Sequence, residues 1–88
     1  MRKIEIDFKI YSTKQKLFSF LLPQIEGLYG TNYDALIDAL SFYDTPLLFH
    51  LINLSYYENQ SSLLEVLQII QKENTLIQYT IEKKPDFN

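Results

Sequence analysis

Three segments of the chain carry the hydrophobic patterns of β-strands. Residues 3–10 alternate strictly between polar and apolar positions, which predicts an edge strand with one wet face. Its apolar positions are Ile4, Ile6, Phe8 and Ile10. Residues 47–52 are almost continuously apolar, as is typical of a central strand covered on both faces. Residues 75–83 alternate again and predict a third strand that Pro85 ends.

Helical periodicity predicts two helices between the first and second strands. The first begins after an N-cap at Thr13 and ends before Pro23. The second begins after Thr31 or Asn32, either of which is a favourable N-cap, and has an acidic residue in its first turn. Its apolar residues recur at the spacing of one buried stripe, namely Tyr33, Leu36, Ile37 and Leu40.

A third helix is predicted before the last strand. Ser62 and Glu65 match a capping box at its start, and Asn74 is a suitable C-terminal stop. Residues 55–60 have the length for a short helical turn before it. Because helices connect the strands, we expect the strands to pair in parallel. The sequence thus predicts one α/β domain over residues 1–88, with a three-stranded parallel sheet of order 1-2-3 packed with three to four helices.

Composition fits a small domain that folds without cross-links. The chain has 88 residues, of which 47% are hydrophobic and 15% aromatic, and it has no cysteine. Large aromatic rings compensate for the small size of the core. One histidine and no cysteine exclude a structural zinc site, and no metal or cofactor is expected. Since neither a leader sequence nor an apolar span of ~20 residues is visible, we expect a cytoplasmic protein without a membrane segment.

Charge is distributed unevenly along the chain. The formal net charge is −3, yet residues 1–16 hold five basic and two acidic side chains. Residues 17–71 contain no Lys or Arg and six acidic residues, which are Glu26, Asp34, Asp38, Asp44, Glu58 and Glu65. Such a segment projects a negative electrostatic field, which attracts a basic protein and repels nucleic acid. The alternative is a solvated acidic surface that only improves solubility.

Few residues offer catalytic chemistry. The two glycines, Gly27 and Gly30, cannot form a phosphate-binding loop, and there is no cysteine nucleophile. His50 lies inside the most apolar strand, where a histidine is more often structural than a catalytic base. Asp34 and Asp38 have no further metal ligands at a recognisable spacing. We therefore predict that the protein is not an enzyme.

Asp34 and Asp38 lie four residues apart and so share one side of the second helix, away from its apolar stripe. Two like charges at this spacing destabilise a helix by roughly 0.2–0.5 kcal/mol. Asp34 has a structural explanation, because it matches a capping box with Thr31 and complements the helix dipole. Asp38 lies past the first turn, and local structure does not explain it.

The segment around these acids has a recognisable pattern, Tyr29-Gly30-x-Asn32-x-Asp34-Ala35-Leu36-x-Asp38-x-Leu40. It resembles the hallmark Y-G-x-N-x-D-A-L-x-D-x-L of the barstar family of intracellular ribonuclease inhibitors. The order of strands, helices and prolines is similar along nearly the whole chain. The resemblance implies a two-layer barstar-like fold and an immunity protein, monomeric when free. Its implied partner is a basic extracellular or toxin-type ribonuclease, and neither nucleic acid nor membrane.

The resemblance also implies how such an inhibitor acts. In the family, the second helix and the preceding loop plug the active-site cleft, where acidic side chains replace substrate phosphate. Asp38 matches the central acid of that site and Asp34 its partner, while Asn32 matches the residue at the junction of loop and helix. The partner-binding set implied in this way is Leu28, Tyr29, Gly30, Asn32, Asp34, Ile37, Asp38 and Ser41.

Three positions depart from the family pattern. Leu28 and Ile37 stand where its best-studied member has aromatic residues, and Lys72 stands where that member has an acid. We therefore expect a cognate ribonuclease other than barnase, or another basic toxin. The alternative is a barstar-like interaction or regulatory module with a basic partner that is not a nuclease, since a fold does not determine a function.

Overall fold

The computed structural model describes residues 1–82 of the chain, which form a parallel sheet with helices packed on it. In chain order the elements are β1 (Arg2–Asp7), α1 (Lys14–Leu21), α2 (Tyr33–Ser41), β2 (Leu47–Ile52), a 3₁₀ turn (Leu54–Tyr56), α3 (Gln60–Glu73) and β3 (Ile77–Glu82). Both strand pairs are parallel, and the strand order is β1-β2-β3. The predicted α/β fold with a central second strand is thereby confirmed. The predicted end of the third strand, Lys83 and Pro85, lies outside the described residues.

The described part of the chain buries one face of the sheet. Along β2, Leu47, Phe49 and Leu51 are buried in the core, whereas the three residues between and after them are half-buried. On that second face the neighbours of β2 are polar and exposed, such as Glu5 of β1 and Thr80 of β3. Within residues 1–82, the prediction that β2 is covered on both faces is therefore wrong.

β1 ends at Asp7 rather than at residue 10, because Asp7 turns the chain. Its backbone carbonyl accepts hydrogen bonds from the amides of Ile10 and Tyr11, each 3.0 Å long. Its side-chain Oδ1 accepts a third from the amide of Lys9 at 3.0 Å, a local bond that competes with strand pairing. Phe8 still enters the core, but Ile10 is 59% exposed, so its predicted place on the buried face is wrong.

Side-chain caps set the starts of α1 and α2. The Thr13 hydroxyl accepts a hydrogen bond from the amide of Lys16 at 3.2 Å, which confirms the predicted cap of α1. At α2 the cap is Asn32, whose Oδ1 accepts from the amide of Ala35 at 2.8 Å. Of the two predicted alternatives for this cap, the structure selects Asn32 over the residue before it.

α3 begins earlier than predicted and ends as predicted. Its first helical residue is Gln60, so Ser62 already lies within the helix and the predicted capping box is wrong. Asn59 stands at the N-cap without a side-chain cap bond, which indicates that packing rather than capping sets this start. Asn74 is the C-cap, and it has a second function at the end of α2 that is described below.

Candidate functional site

α2 turns two of its residues into the core and leaves its acidic residues outside. Leu36 and Leu40 are buried, whereas Asp34 and Asp38 are exposed on the surface of the helix. No salt bridge joins either carboxylate to a Lys or Arg within residues 1–82. The helix therefore presents two negative charges one turn apart to solvent.

The observed cap changes the structural explanation of Asp34. Because Asn32 is the N-cap, Asp34 is the second helical residue, and the predicted capping box between Thr31 and Asp34 is wrong. Asp34 remains in the first turn, where its charge complements the helix dipole. Asp38 has no such interaction, so its position on the helix is still not explained by local structure.

The N-terminal end of α2 is tied to the core through a pair of tyrosines. The hydroxyl of Tyr33 lies 2.7 Å from that of Tyr57, which is buried. Burial raises the pKa of Tyr57 above its usual range, and the hydrogen bond to Tyr33 acts in the same direction. The ring of Tyr33 also packs beside Phe18 of α1, with centroids 5.9 Å apart. This end of α2 is consequently held in one position.

The C-terminal end of α2 is held by α3. The side-chain amide of Asn74 donates hydrogen bonds to the carbonyls of Leu40 and Tyr43, at 2.9 and 2.8 Å. The carbonyl of Leu40 belongs to the last turn of α2 and also accepts from the backbone amide of Tyr43, whereas that of Tyr43 lies beyond the helix. The C-cap residue of α3 thus donates hydrogen bonds to backbone carbonyls at the end of α2. These bonds fix the path of the chain from α2 to β2.

The loop before α2 passes close to the first turn of the helix at Gly30. A Cβ atom at Gly30 would lie 2.9 Å from the Cβ of Ala35, a distance that side chains do not tolerate. Only glycine allows this approach without displacement of the loop or the helix. The Gly30 and Ala35 of the recognised pattern therefore have a packing role in addition to any role in binding.

The predicted partner-binding residues differ in how deeply their side chains are buried. Leu28 is buried in the core, so its side chain does not reach the surface and the expectation that it contacts a partner is wrong. Tyr29 is 92% exposed. Ile37 and Ser41 are half-buried, and the Ser41 hydroxyl oxygen is buried without a hydrogen-bond partner in the described part of the chain. The residues that remain accessible are Tyr29, Asn32, Asp34 and Asp38, with Gly30, Ile37 and Ser41 partly so.

Sequence reasoning missed a second exposed aromatic residue beside this site. Phe42 follows α2 and is 86% exposed. With Tyr29 it lines a surface cleft of about 420 Å³, to which Glu26 and Asp44 also contribute. Phe42 does not fit the helical spacing of the buried stripe, so the sequence could have indicated that its side chain is exposed.

Two cations reach α2 from the preceding elements. The ammonium of Lys14 lies 5.3 Å from the ring centroid of Tyr33, at the start of α2. The guanidinium of Arg2 donates a hydrogen bond of 3.0 Å to the hydroxyl of Tyr43, just beyond the end of the helix. One cation therefore lies near each end of α2, which the lysine-free stretch of sequence does not indicate.

His50 makes contacts on the half-buried sheet face. Its Nδ1 lies 2.9 Å from the Thr80 hydroxyl, and its Nε2 lies 3.5 Å from a carboxylate oxygen of Glu82.

Within residues 1–82, no group of three His, Asp or Glu side chains is placed to hold a metal ion. None of the helices in that range combines the length and apolar character needed to cross a bilayer.

No protein-family model matches the chain, and a search of curated proteins finds no significant match. The resemblance to the barstar family thus stays a prediction that depends on the pattern of residues 29–40 and on the order of the elements.

Proposed function

We propose that this chain is a cytoplasmic inhibitor of a small basic ribonuclease and that it plugs the active-site cleft of its partner with α2 and residues 29–32. The proposal depends chiefly on one observation, the exposed pair of Asp34 and Asp38 one turn apart on α2. Ribonuclease clefts hold substrate phosphates with Arg, Lys and His side chains. Carboxylates accept charge-assisted hydrogen bonds from the same groups, so Asp38 acts as the phosphate mimic and Asp34 as its partner.

The attachment of α2 at both ends supports this function. The Tyr33–Tyr57 pair holds its start, and Asn74 holds its end. A helix held in this way loses little conformational freedom when it binds. More of the interaction free energy then appears as affinity.

The charges around α2 also favour one position of the partner. Lys14 and Arg2 lie at opposite ends of the helix, and each repels the cations of a basic protein. The attractive part of the surface is therefore the middle of α2 together with the cleft that Glu26 and Asp44 line. This arrangement directs the most basic part of the partner toward Asp38.

Exposed aromatic rings beside the acids supply the apolar part of the interface. Tyr29 precedes α2 and Phe42 follows it, and both are almost fully exposed. Aromatic side chains dominate the binding free energy of many protein interfaces, because they bury a large area at low entropic cost. In the sequence, Asp34 and Asp38 lie between these two aromatic residues, and they supply the charged contacts of the interface.

An inhibition assay tests the proposal. Nucleases secreted by the source organism are captured on the immobilised protein, eluted, and assayed on a fluorogenic RNA substrate. We expect stoichiometric inhibition by the native chain. Asp38→Asn should weaken inhibition by roughly 30- to 4,000-fold, which corresponds to the ~2–5 kcal/mol lost when one partner of a buried charge pair is removed. Glu65→Gln removes the same charge from an exposed position on α3 and should inhibit normally.

Two other results of the inhibition assay would count against parts of this proposal. Equal inhibition by Asp38→Asn and the native chain contradicts the role of Asp38. Capture of a basic protein through the same acids, with no effect on RNA cleavage, favours the second candidate function, a barstar-like interaction module with a partner that is not a nuclease.

A further inference from the structure

A groove beside α1 differs in chemistry from the acidic surface of α2. It has a volume of about 800 Å³ and lies open on the surface. Its apolar wall consists of Ile10, Tyr11 and Phe20, and its polar side includes Gln15, Lys16 and Ser19. We call it the α1 groove.

The apolar wall of the α1 groove is built by the turn at Asp7. That turn ends β1 and places Ile10 on the surface, where it is exposed instead of buried. The rings of Tyr11 and Phe20 stack with centroids 4.2 Å apart, which fixes the adjoining part of the wall. An exposed aliphatic side chain beside a fixed aromatic stack provides a place for one apolar side chain of a partner.

The charged residues of the segment that forms the α1 groove are all lysines. Residues 8–25 contain three lysines and no acidic residue. Lys16 lines the groove itself. Lys14 lines an adjoining cavity of about 580 Å³, which shares Gln15 and Ser19 with the groove. A bound chain that crosses from one cavity to the other therefore meets both lysines.

Two carboxylates approach this segment, and both accept hydrogen bonds from backbone amides of its lysines. Glu58 Oε2 accepts from the amide of Lys14 at 2.7 Å. Asp7 Oδ1 accepts from the amide of Lys9 at 3.0 Å and from the side chain of Asn53 at 2.9 Å. In the described part of the chain no salt bridge joins a carboxylate to the ammonium of Lys14 or Lys16.

We propose that the α1 groove binds a short acidic peptide segment of a partner protein. An aromatic or aliphatic side chain of that segment packs between Ile10 and the Tyr11–Phe20 stack, and its carboxylates lie against Lys16 and Lys14. The open shape favours a peptide, because a small molecule needs a pocket that buries most of its surface. A peptide needs only an anchor side chain and complementary charge. The proposal does not rest on the function proposed for α2, although Lys14 and Thr31 border both surfaces.

Fluorescence anisotropy with a labelled probe tests the proposal. The probe is the acetylated and amidated hexapeptide Asp-Glu-Phe-Leu-Asp-Glu, and the control probe has Lys at all four acidic positions. We expect the acidic probe to bind and the basic probe not to bind the α1 groove. Lys16→Glu should weaken binding by about tenfold or more, because an attractive pair becomes a repulsive one. Ile10→Ser should weaken it as well, through loss of the apolar contact.

Matched variants separate the site from general effects. Lys72→Glu makes the same charge change at an exposed position on α3, and Ile69→Ser removes a comparable exposed side chain there. Both should bind the acidic probe normally. Asp38→Asn should also bind it normally, so this proposal and the one for α2 can fail separately.

Backbone amide spectra locate the bound probe. The acidic probe should shift the resonances of residues 10–20 and leave those of α3 unchanged. No binding, equal weakening by Lys16→Glu and Lys72→Glu, or shifts confined to other segments would overturn the proposal. Binding to anionic phospholipid vesicles through the same lysines, without binding to the probe, would also overturn it and indicate a lipid surface instead.

Discussion

The hydroxyl groups of Tyr33 and Tyr57 lie 2.7 Å apart and form a hydrogen bond between the start of α2 and the segment that follows β2. Tyr57 is buried, and its ring meets Phe8 at an angle of 61° with centroids 5.1 Å apart. The first turn of α2 is thereby connected through two tyrosines to the end of β1. The position of the helix surface that carries Asp34 and Asp38 thus depends on this interior contact.

Tyr57→Phe should reduce the loss of stability at alkaline pH. Burial holds the pKa of Tyr57 above its usual range, so the unfolded chain ionises this hydroxyl near pH ~10 while the folded chain does not. The free energy of unfolding therefore keeps this contribution below pH ~10 and loses it as the pH rises further. Denaturant melts between about pH 8 and pH 11 measure the decline.

The exposed Tyr29 supplies the control for this measurement. Tyr29→Phe removes a hydroxyl from a ring with 92% exposure and should keep the alkaline decline of the native chain. An identical decline in Tyr57→Phe and in the native chain would show that Tyr57 does not resist ionisation.

The sheet could be predicted from sequence because its requirements are local. Apolar runs or alternation mark each strand, and helical connections require parallel pairing, although the expected burial of both faces of β2 was wrong. Prediction failed where a polar side chain or tertiary packing competed with the pattern. Asp7 ends β1 through hydrogen bonds to its own turn, and α3 starts ahead of the capping box at Ser62.

The candidate site was predictable only in part. Helical spacing correctly predicted that Asp34 and Asp38 lie away from the core. Leu28 is in a loop, where burial follows no period, and its place in the core has no sequence signal. The positions of Lys14 and Arg2 beside α2 depend on long-range packing, so no local pattern reveals them.

Gly30→Ala should destabilise the fold, although the new side chain is one methyl group. Its Cβ would lie 2.9 Å from the Cβ of Ala35, so the loop or the first turn of α2 must move. Overpacking of this kind costs about 1–3 kcal/mol. The free energy of unfolding from denaturant melts gives this value directly.

A second substitution identifies the contact responsible. Ala35→Gly removes the opposing methyl group and alone costs about 1 kcal/mol through helix propensity. The double variant Gly30→Ala with Ala35→Gly should be more stable than the sum of the two single effects predicts. Simple additivity in this double-mutant cycle is the result that contradicts the contact.

Asn74→Asp should destabilise the end of α2 more than its small change in shape suggests. The substitution keeps an oxygen to accept the amide of Leu76, which lies 3.0 Å from Oδ1. It replaces the donor to the carbonyls of Leu40 and Tyr43 with a second acceptor. The Leu40 carbonyl still accepts from the backbone amide of Tyr43 at 3.2 Å, so the main loss is at the carbonyl of Tyr43. A carbonyl left without its donor costs about 1–3 kcal/mol, and exposure to water lowers this value.

Asn59→Asp is the matched control for this substitution. Asn59 is exposed at the start of α3 and makes no side-chain cap bond. A negative charge at this end of a helix is neutral or favourable, so thermal melts should show no loss of stability. Equal melting of Asn74→Asp and the native chain would contradict the bridge between the two helices.

Asp38→Ala and Asp34→Ala should differ in stability although both remove one exposed carboxylate from α2. Asp38→Ala relieves the repulsion between the two acids, worth roughly 0.2–0.5 kcal/mol, and installs a better helix former. Asp34→Ala gives the same two gains but loses the favourable interaction of a first-turn acid with the helix dipole, worth about 0.3–1 kcal/mol.

We therefore expect Asp38→Ala to melt above the native chain and Asp34→Ala to melt below Asp38→Ala. Thermal melts at low salt, where the dipole interaction is least screened, measure this order. Because both variants should weaken the proposed inhibition of a ribonuclease, the melts separate a residue kept for function from one that also supports the helix. If Asp38→Ala melts well below the native chain, Asp38 has a structural role, and its assignment as a phosphate mimic loses its main support.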